Sequence, residues 1–288
     1  MPTNKQRRAT AKRKLERQLE RRAKQARRRR ILTIAGALAV VIAVVAAVLV
    51  TLYLRRDHDT TTASSDASTS ADNSGAGVLP PFVAPADLGA NCTYPATAEP
   101  AAKPVEPPRS GKVPTDPAVV SVSMMTDQGP VGIKLDNAKA PCTVNSFASL
   151  AQKQFFNDTP CHRLTTAPTL AVLQCGDPTG KGTGGPGYSF ANEYPTNQYP
   201  PDDPALQEPV VYPRGTLAMA NNGAPGTNGS QFFLVYRDSQ LPPQYTVFGT
   251  IDETGLATLD KIAQAGVAGG GDDGAPATPV MIKTVQLD

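Results

Sequence analysis

Residues 219–249 read MANNGAPGTNGSQFFLVYRDSQLPPQYTVFG. A strand candidate, 215–219, runs into this stretch. A second, 231–235, follows a loop rich in Gly and Asn, and a third spans 246–251. Asn221 and Asn222 suit that loop because short polar side chains satisfy backbone groups in tight turns. Alternation along the middle strand sends Phe232 and Phe233 to opposite faces, so the core claims one ring of the pair.

The same texture extends outward. Val119–Met125 reads as a strand, Asp127-Gln128-Gly129 as a turn and Val131–Leu135 as the returning strand of a hairpin. Pro141 opens a helix at its first turn, with Val144, Phe147, Ala148, Leu150 and Ala151 at helical spacing through Gln154. Strand candidates follow at 161–165 and 170–174. A second helix fits 255–265, with Leu256, Leu259 and Ile262 on one face, and 280–287 alternates as a closing strand. Many short strands, non-parallel connections and two helices predict an all-β-dominated fold, a closed antiparallel barrel capped by two α-helices.

The N-terminal part of the 288-residue chain differs in kind. Residues 5–30 carry fourteen Lys/Arg and two acidic residues, a balance of +12, whereas residues 57–288 balance at −11. Between them, ILTIAGALAVVIAVVAAVLVTLYL (31–54) is 24 residues long without a charge, and about 20 apolar residues span a bilayer core. A cleaved signal peptide would have a shorter apolar region and a small-residue cleavage site. This run is longer and ends in TLYLRR, which favours an uncleaved transmembrane signal-anchor helix. The larger basic cluster precedes the span, which predicts a cytoplasmic N-terminus and everything after Arg56 outside. The basic tail, 1–30, is read as a topology determinant, with no nucleic acid expected as a partner. Residues 57–77 have the composition of a disordered spacer, and 78–117 are Pro-rich and extended.

Several chemistries lack their residues. There are no metal-spaced His clusters, no G-x-S-x-G elbow and no phosphate loop, because Gly182-Thr183-Gly184-Gly185 has no Lys-Ser/Thr ending. No metal and no cofactor is therefore called for. Cys92, Cys142, Cys161 and Cys175 all follow the apolar run, on the side where disulfides persist. Four cysteines allow three pairings, and the sequence by itself does not choose.

Two blocks of motifs resemble the cyclophilins. One is Met219-Ala220-Asn221, then Ser230-Gln231-Phe232-Phe233, then Val247-Phe248-Gly249. The other is Cys161-His162-Arg163, then Gln174-Cys175-Gly176-Asp177, then Gly182-Thr183-Gly184-Gly185, similar to F-H-R, Q-G-G-D and G-T-G-G in that family. The resemblance covers 118–288 and implies an eight-stranded antiparallel barrel with peptidyl-prolyl cis-trans isomerase activity. Together with the charge and apolar patterning, which it does not cover, it gives the divisions 1–30 basic tail, 31–54 anchor, 55–117 linker and arm, and 118–288 isomerase domain.

By the same resemblance Arg163, Gln174 and Phe233 are catalytic. Leu170, Val172, Gly182, Thr183, Ala220, Asn221, Gln231, Leu241 and Tyr245 bind the substrate, a proline-containing polypeptide. Cys161 and Cys175, on strands that resemble an adjacent pair, imply one disulfide and leave Cys92 for Cys142. His162 is structural in this pattern. The segment between Arg163 and Gln174 is a few residues longer than family members show, leaving Leu170 and Ala171 as alternatives at the pocket. Gln240 stands where the family often has Trp, and Tyr245 where it has His, which implies weak cyclosporin binding. Rival readings are a peptide-binding or chaperone module with little catalysis, and a tethered envelope protein. The joint presence of Arg163, Gln174 and Phe233 favours the enzyme.

Overall fold

The computed structural model describes residues 76–288. The basic tail, the apolar run 31–54 and the spacer up to residue 75 lie outside the described residues. Among the described residues no helix is long and apolar enough to cross a membrane.

The strands in chain order are β1 (Gly77–Val78), β2 (Val119–Thr126), β3 (Gly129–Asp136), β4 (Thr159–Pro160), β5 (Arg163–Thr165), β6 (Val172–Cys175) and β7 (Val210–Tyr212). There follow β8 (Thr216–Met219), β9 (Phe232–Val235), β10 (Ser239–Leu241), β11 (Val247–Ile251), β12 (Asp273–Gly274) and β13 (Met281–Leu287). The helices are α1 (Pro141–Gln152) and α2 (Glu253–Ala265). Ten strands form one antiparallel sheet in the order β12-β5-β6-β9-β8-β11-β3-β2-β13-β4. Only Cys161 and His162 separate β4, at one edge, from β5, next to the other. The covalent chain therefore draws the edges together, and the sheet curls into a half-barrel. Eight of its strands have three residues or more, the number expected. The closed barrel is corrected: two-residue β4 and β12 end the sheet, and no ladder joins them.

β2 and β3 pair along their full length, from Val119–Asp136 to Thr126–Gly129. The turn is held by the Thr126 hydroxyl, which accepts from the Gln128 and Gly129 amides, both at 3.1 Å. Val122 and Met124 of β2 and Val131, Ile133 and Leu135 of β3 are buried, while their neighbours alternate outward. These residues, with Val144, Phe147 and Leu150 of α1 and Leu256, Leu259 and Ile262 of α2, form the main core. α2 is capped locally, the Asp252 carboxylate accepting from the Gly255 amide at 2.7 Å. α1 begins with Pro141 and has no local side-chain cap. Instead the buried Glu193 carboxylate accepts from the amides of Cys142 (3.0 Å) and Thr143 (2.8 Å) and from the Thr143 hydroxyl (2.6 Å). Burial raises the Glu193 pKa, and the bonds from Thr143 and Cys142 pull the other way.

β6, β9 and β8 carry almost unbroken apolar runs because both faces of these strands are covered. Leu173, Phe232, Leu234 and Leu217 point into the main core. Val172, Phe233, Val235 and Ala218 point to the other face and form a second cluster with Val210 and Tyr212 of β7. That face is covered by a three-stranded sheet in the order β1-β7-β10. None of these three strands is anticipated from the sequence pattern.

The disulfides are Cys161–Cys175 and Cys92–Cys142, as the resemblance implied, with Cα separations of 4.0 and 5.3 Å. Over 76–117 the arm turns at 86–90, has little regular structure elsewhere and packs on the domain. Cys92, Tyr94 and Val113 are buried in the main core, and the Tyr194 hydroxyl donates to the Pro80 carbonyl at 2.7 Å.

Candidate active site

A single row of opposed residues crosses four strands. Arg163 pairs with Gln174, Gln174 with Phe233, and Phe233 with Ala218. Directly opposed residues of an antiparallel ladder share a face and stand ≈ 4.5–5.5 Å apart. The register thus sets a guanidinium, an amide and an aromatic ring side by side on the face away from the main core.

The chain between Arg163 and Gln174 reaches this register by a turn. Leu164 pairs with Leu173, and the Leu170 amide donates to Ala167, so the extra residues loop out beyond the ladder. The two alternatives at the pocket then lie in different clusters. Ala171 is fully buried in the main core, whereas Leu170 packs against the second cluster.

Arg163 is held from two sides. Its Nε and Nη2 donate to the two carboxylate oxygens of Asp273, at 2.7 and 2.6 Å, and its Nη1 donates to Gln174 Oε1 at 3.2 Å. A guanidinium has five N–H groups and no acceptor, so one N–H on each terminal nitrogen remains. Because Arg163 only donates, Gln174 must turn its oxygen toward it, leaving its amide nitrogen to donate to Gln231 Oε1 at 2.9 Å. Gln231 in turn donates to the Gly184 carbonyl at 3.0 Å. The polarity of both glutamines is fixed by the arginine. The hydrogen bond from Arg163 to Asp273 holds that carboxyl below the usual carboxylate range and raises the arginine further above its ordinary value.

Beside this polar line is an apolar seat. Phe233 forms its base, with the Tyr245 ring edge-on at 5.7 Å and the Tyr212 ring at 6.4 Å. Val172, Leu170, Leu241 and Ala220 pack around the same cluster. Phe232, the other ring of the pair, faces inward between Phe147 and Phe156 at 5.5 and 5.7 Å. Both rings are buried, in different cores.

A groove of about 740 Å³ adjoins this seat and is lined by Gln174, Gln231, Ala220, Asn221, Gly182 and Thr183, among others. Its glycine loop is built on Asp177, whose buried carboxylate accepts from the amides of Thr179 (2.7 Å), Thr183 (3.1 Å) and Gly184 (3.0 Å). Burial pushes the Asp177 pKa up, but bonds from Gly184 and Thr179 outweigh it and hold the group below its ordinary value. Gly184 has no room for a side chain, since a Cβ there would stand 2.1 Å from Asp177 Oδ1.

The Asn221 side chain is committed to its own loop, donating to the Gln244 carbonyl at 2.9 Å and accepting from the Gly223 amide at 3.0 Å. The side chain thus braces the loop while Asn221 lines the groove. His162 lies against Gly182, and burial lowers its pKa, so it is neutral at pH 7.

Sequence reasoning missed Asp273, Tyr212 and the arm residues Thr97–Pro100 that line the groove. Asp273 lies 110 residues from Arg163 in a Gly/Asp run, Gly269–Gly274. No local pattern joins the two.

The cyclophilin type peptidyl-prolyl cis-trans isomerase/CLD family profile matches residues 121–287. The chain is 64% identical to a probable peptidyl-prolyl cis-trans isomerase B of Mycobacterium leprae over the whole of both chains. It is 67% identical to a protein of the same description from Mycobacterium tuberculosis, covering 100% of this chain and 95% of that one. A peptidyl-prolyl cis-trans isomerase A of Mycobacterium tuberculosis is 34% identical, covering 59% of this chain and 93% of its own.

The clamp on Arg163 is testable without an activity assay. A carboxylate with a depressed pKa stays charged above the ordinary carboxylate range, about pH 4, and is neutralised only as pH falls through its folded value. The Arg163 Nε–H resonance should thus show slow, constant solvent exchange, corrected for base catalysis, from about pH 5 to 8. In Asp273→Asn it should exchange like a free arginine. Equal protection in both proteins would contradict the clamp.

Proposed function

Because the chain belongs to the cyclophilin-type peptidyl-prolyl cis-trans isomerase family, we propose that Arg163 drives X–Pro rotation in extended or partly folded polypeptides outside the cytoplasm. The chain is a peptidyl-prolyl cis-trans isomerase; the residue roles and the location are the proposal. The observation that carries the residue roles is the fixed line Asp273–Arg163–Gln174–Gln231 beside the Phe233 seat.

An X–Pro amide resists rotation by ~18–20 kcal/mol because resonance gives its C–N bond double-bond character. No bond breaks and no proton needs to leave. The reaction needs the proline ring held still while the preceding carbonyl turns about the C–N axis. The Phe233 base, with Val172, Leu170, Leu241 and Tyr245 around it, has the apolar character to seat a pyrrolidine ring. As the amide twists, the prolyl nitrogen loses conjugation and regains a lone pair. The free N–H groups on the terminal nitrogens of Arg163 are the donors for it. That bond exists only in the twisted state, so it lowers the barrier without tightening the planar substrate. Asp273 and Gln174 hold the guanidinium plane, so no reorganisation is needed as the lone pair appears. Gln174 and Asp273 are positioning residues in this scheme.

The membrane proposal rests on the apolar run 31–54 and on the charge change from +12 to −11 across it. Residues 1–30 form the cytoplasmic tail, 31–54 a single-pass anchor, 55–117 a linker and arm, and 118–288 the extracytoplasmic isomerase domain, whose clients are secreted or envelope polypeptides during folding. The two disulfides fit an oxidising compartment.

Three outcomes follow. Arg163→Ala should fold but lose about 10²–10³ in turnover of a proline peptide, the scale of losing one transition-state donor. Near-normal turnover in that variant would overturn the assignment. A reporter fused after Asp288 should work only if it is of the kind that functions outside the cytoplasm; activity of a cytoplasm-dependent reporter would reverse the topology. With Gln240 and Tyr245 at the rim in place of the family's Trp and His, cyclosporin should inhibit weakly, and Gln240→Trp should raise its affinity by up to ~30-fold. Nanomolar inhibition of the unmodified chain would contradict the rim argument.

A further inference from the structure

The groove beside the proline seat has a wall from outside the region that the family profile matches. Cys92 is bonded to Cys142 at the start of α1. Tyr94, two residues on, sets its ring edge-on against Tyr188 and Phe190 at 5.7 and 5.6 Å and donates its hydroxyl to the Cys142 carbonyl at 2.7 Å. Beyond that anchor the arm is tied to the glycine loop twice. The Thr97 amide donates to the Gly187 carbonyl at 3.0 Å and the Ala102 amide to the Gly185 carbonyl at 2.8 Å. The approach is close: Gly187 has φ +78°, and a Cβ on it would stand 2.8 Å from the Ala101 nitrogen. Between the two ties, Thr97, Ala98, Glu99 and Pro100 line the groove together with Gln174 and Gln231.

Among the described residues no salt bridge offsets the charge on this wall. Glu99 is the one carboxylate among the groove-lining residues, and it is exposed. Asp177, under the glycine loop, is fully buried and occupied by Thr179, Thr183 and Gly184. The Lys103 ammonium is turned away onto the carbonyls of Phe155 and Asn157. Arg163 is paired with Asp273. Lys181 is exposed but does not line the groove. A peptide seated by its proline on Phe233 would pass Gln174 and Ala220, which border both the seat and the groove, and place a neighbouring side chain against the arm.

We propose that residues Thr97–Pro100 form the outer wall of a second substrate pocket, and that Glu99 makes it select a Lys or Arg side chain flanking the proline. This rests on the reading of Phe233 as the proline seat and names the class of polypeptide that the site prefers.

The test uses the full chain and a set of peptides of common sequence. Each carries Lys, Gln or Glu at one of the three positions on either side of the proline, and kcat/KM is measured for each. At one position Lys should exceed Gln and Gln should exceed Glu, each by about two- to five-fold at low ionic strength, the scale of an exposed ion pair. The preference should fade in ~1 M salt, where the screening length is about 3 Å. Glu99→Gln should bring the Lys-to-Glu ratio toward one, and Glu99→Lys should invert it. Equal rates at every position, or a ratio that survives in Glu99→Gln, would overturn the wall assignment. Turnover of the Gln peptides by the unmodified chain is read first. Its absence would instead overturn the proposed site itself.

Discussion

The cross-strand register of β5, β6 and β9 is the constraint on which the rest of the structure depends. Side chains alternate with a period of two along a strand, so a slip of one residue would send Arg163, Gln174 and Phe233 into the main core and bring Leu164, Leu173 and Phe232 out. Burying an unpaired guanidinium in the main core is strongly unfavourable. The Cys161–Cys175 disulfide closes the same pair of strands with a sequence separation of 14. By loop-closure entropy such a crosslink is worth about 3 kcal/mol. Hydrophobic pattern and crosslink thus select the same register, and that register assembles the site.

Both faces of β6, β9 and β8 are packed around the site. The row that carries Gln174, Phe233 and Ala218 has a packed core behind it, with Phe147, Phe156 and Phe232 in mutual ring contact. In front, the small sheet β1-β7-β10 brings Val210, Tyr212 and Leu241 against Phe233. A guanidinium aimed at a lone pair that exists only in the twisted amide gains nothing if it must first reorient. Clamping it between Asp273 and Gln174 suits a reaction whose whole barrier is the loss of conjugation.

Much of this was legible in the sequence for physical reasons. Both helices and the β2–β3 hairpin announce themselves by period, and the bounds of the large sheet's strands of three or more residues shift by only one or two residues at most ends. Ordered motifs bring Arg163, Gln174 and Phe233 forward as candidates, and the register sets them in one row. What the sequence hid depends on distant partners. β7 and β10 are three residues long and β1 two, too short to carry a period. Asp273 sits in a glycine run whose composition suggests only a loop. The helix cap on α1 comes from Glu193, 50 residues away. The arm over 76–117 has no periodicity because Pro-rich extended chain has none, yet its contacts are specific: a disulfide, a tyrosine hydroxyl and two backbone bonds to the glycine loop.

In the proposed mechanism two jobs are separate along one row: Phe233 would seat the proline, and Arg163 would act only on the twisted amide. Exchange NMR on a proline peptide at saturating protein measures both quantities at once, the affinity and the cis-trans interconversion rate of the bound peptide. For Arg163→Ala the account predicts a bound-state rate lower by about two orders of magnitude, with the dissociation constant changed by no more than a few-fold. A bound-state rate that survives, with the whole loss appearing in the dissociation constant, would contradict it.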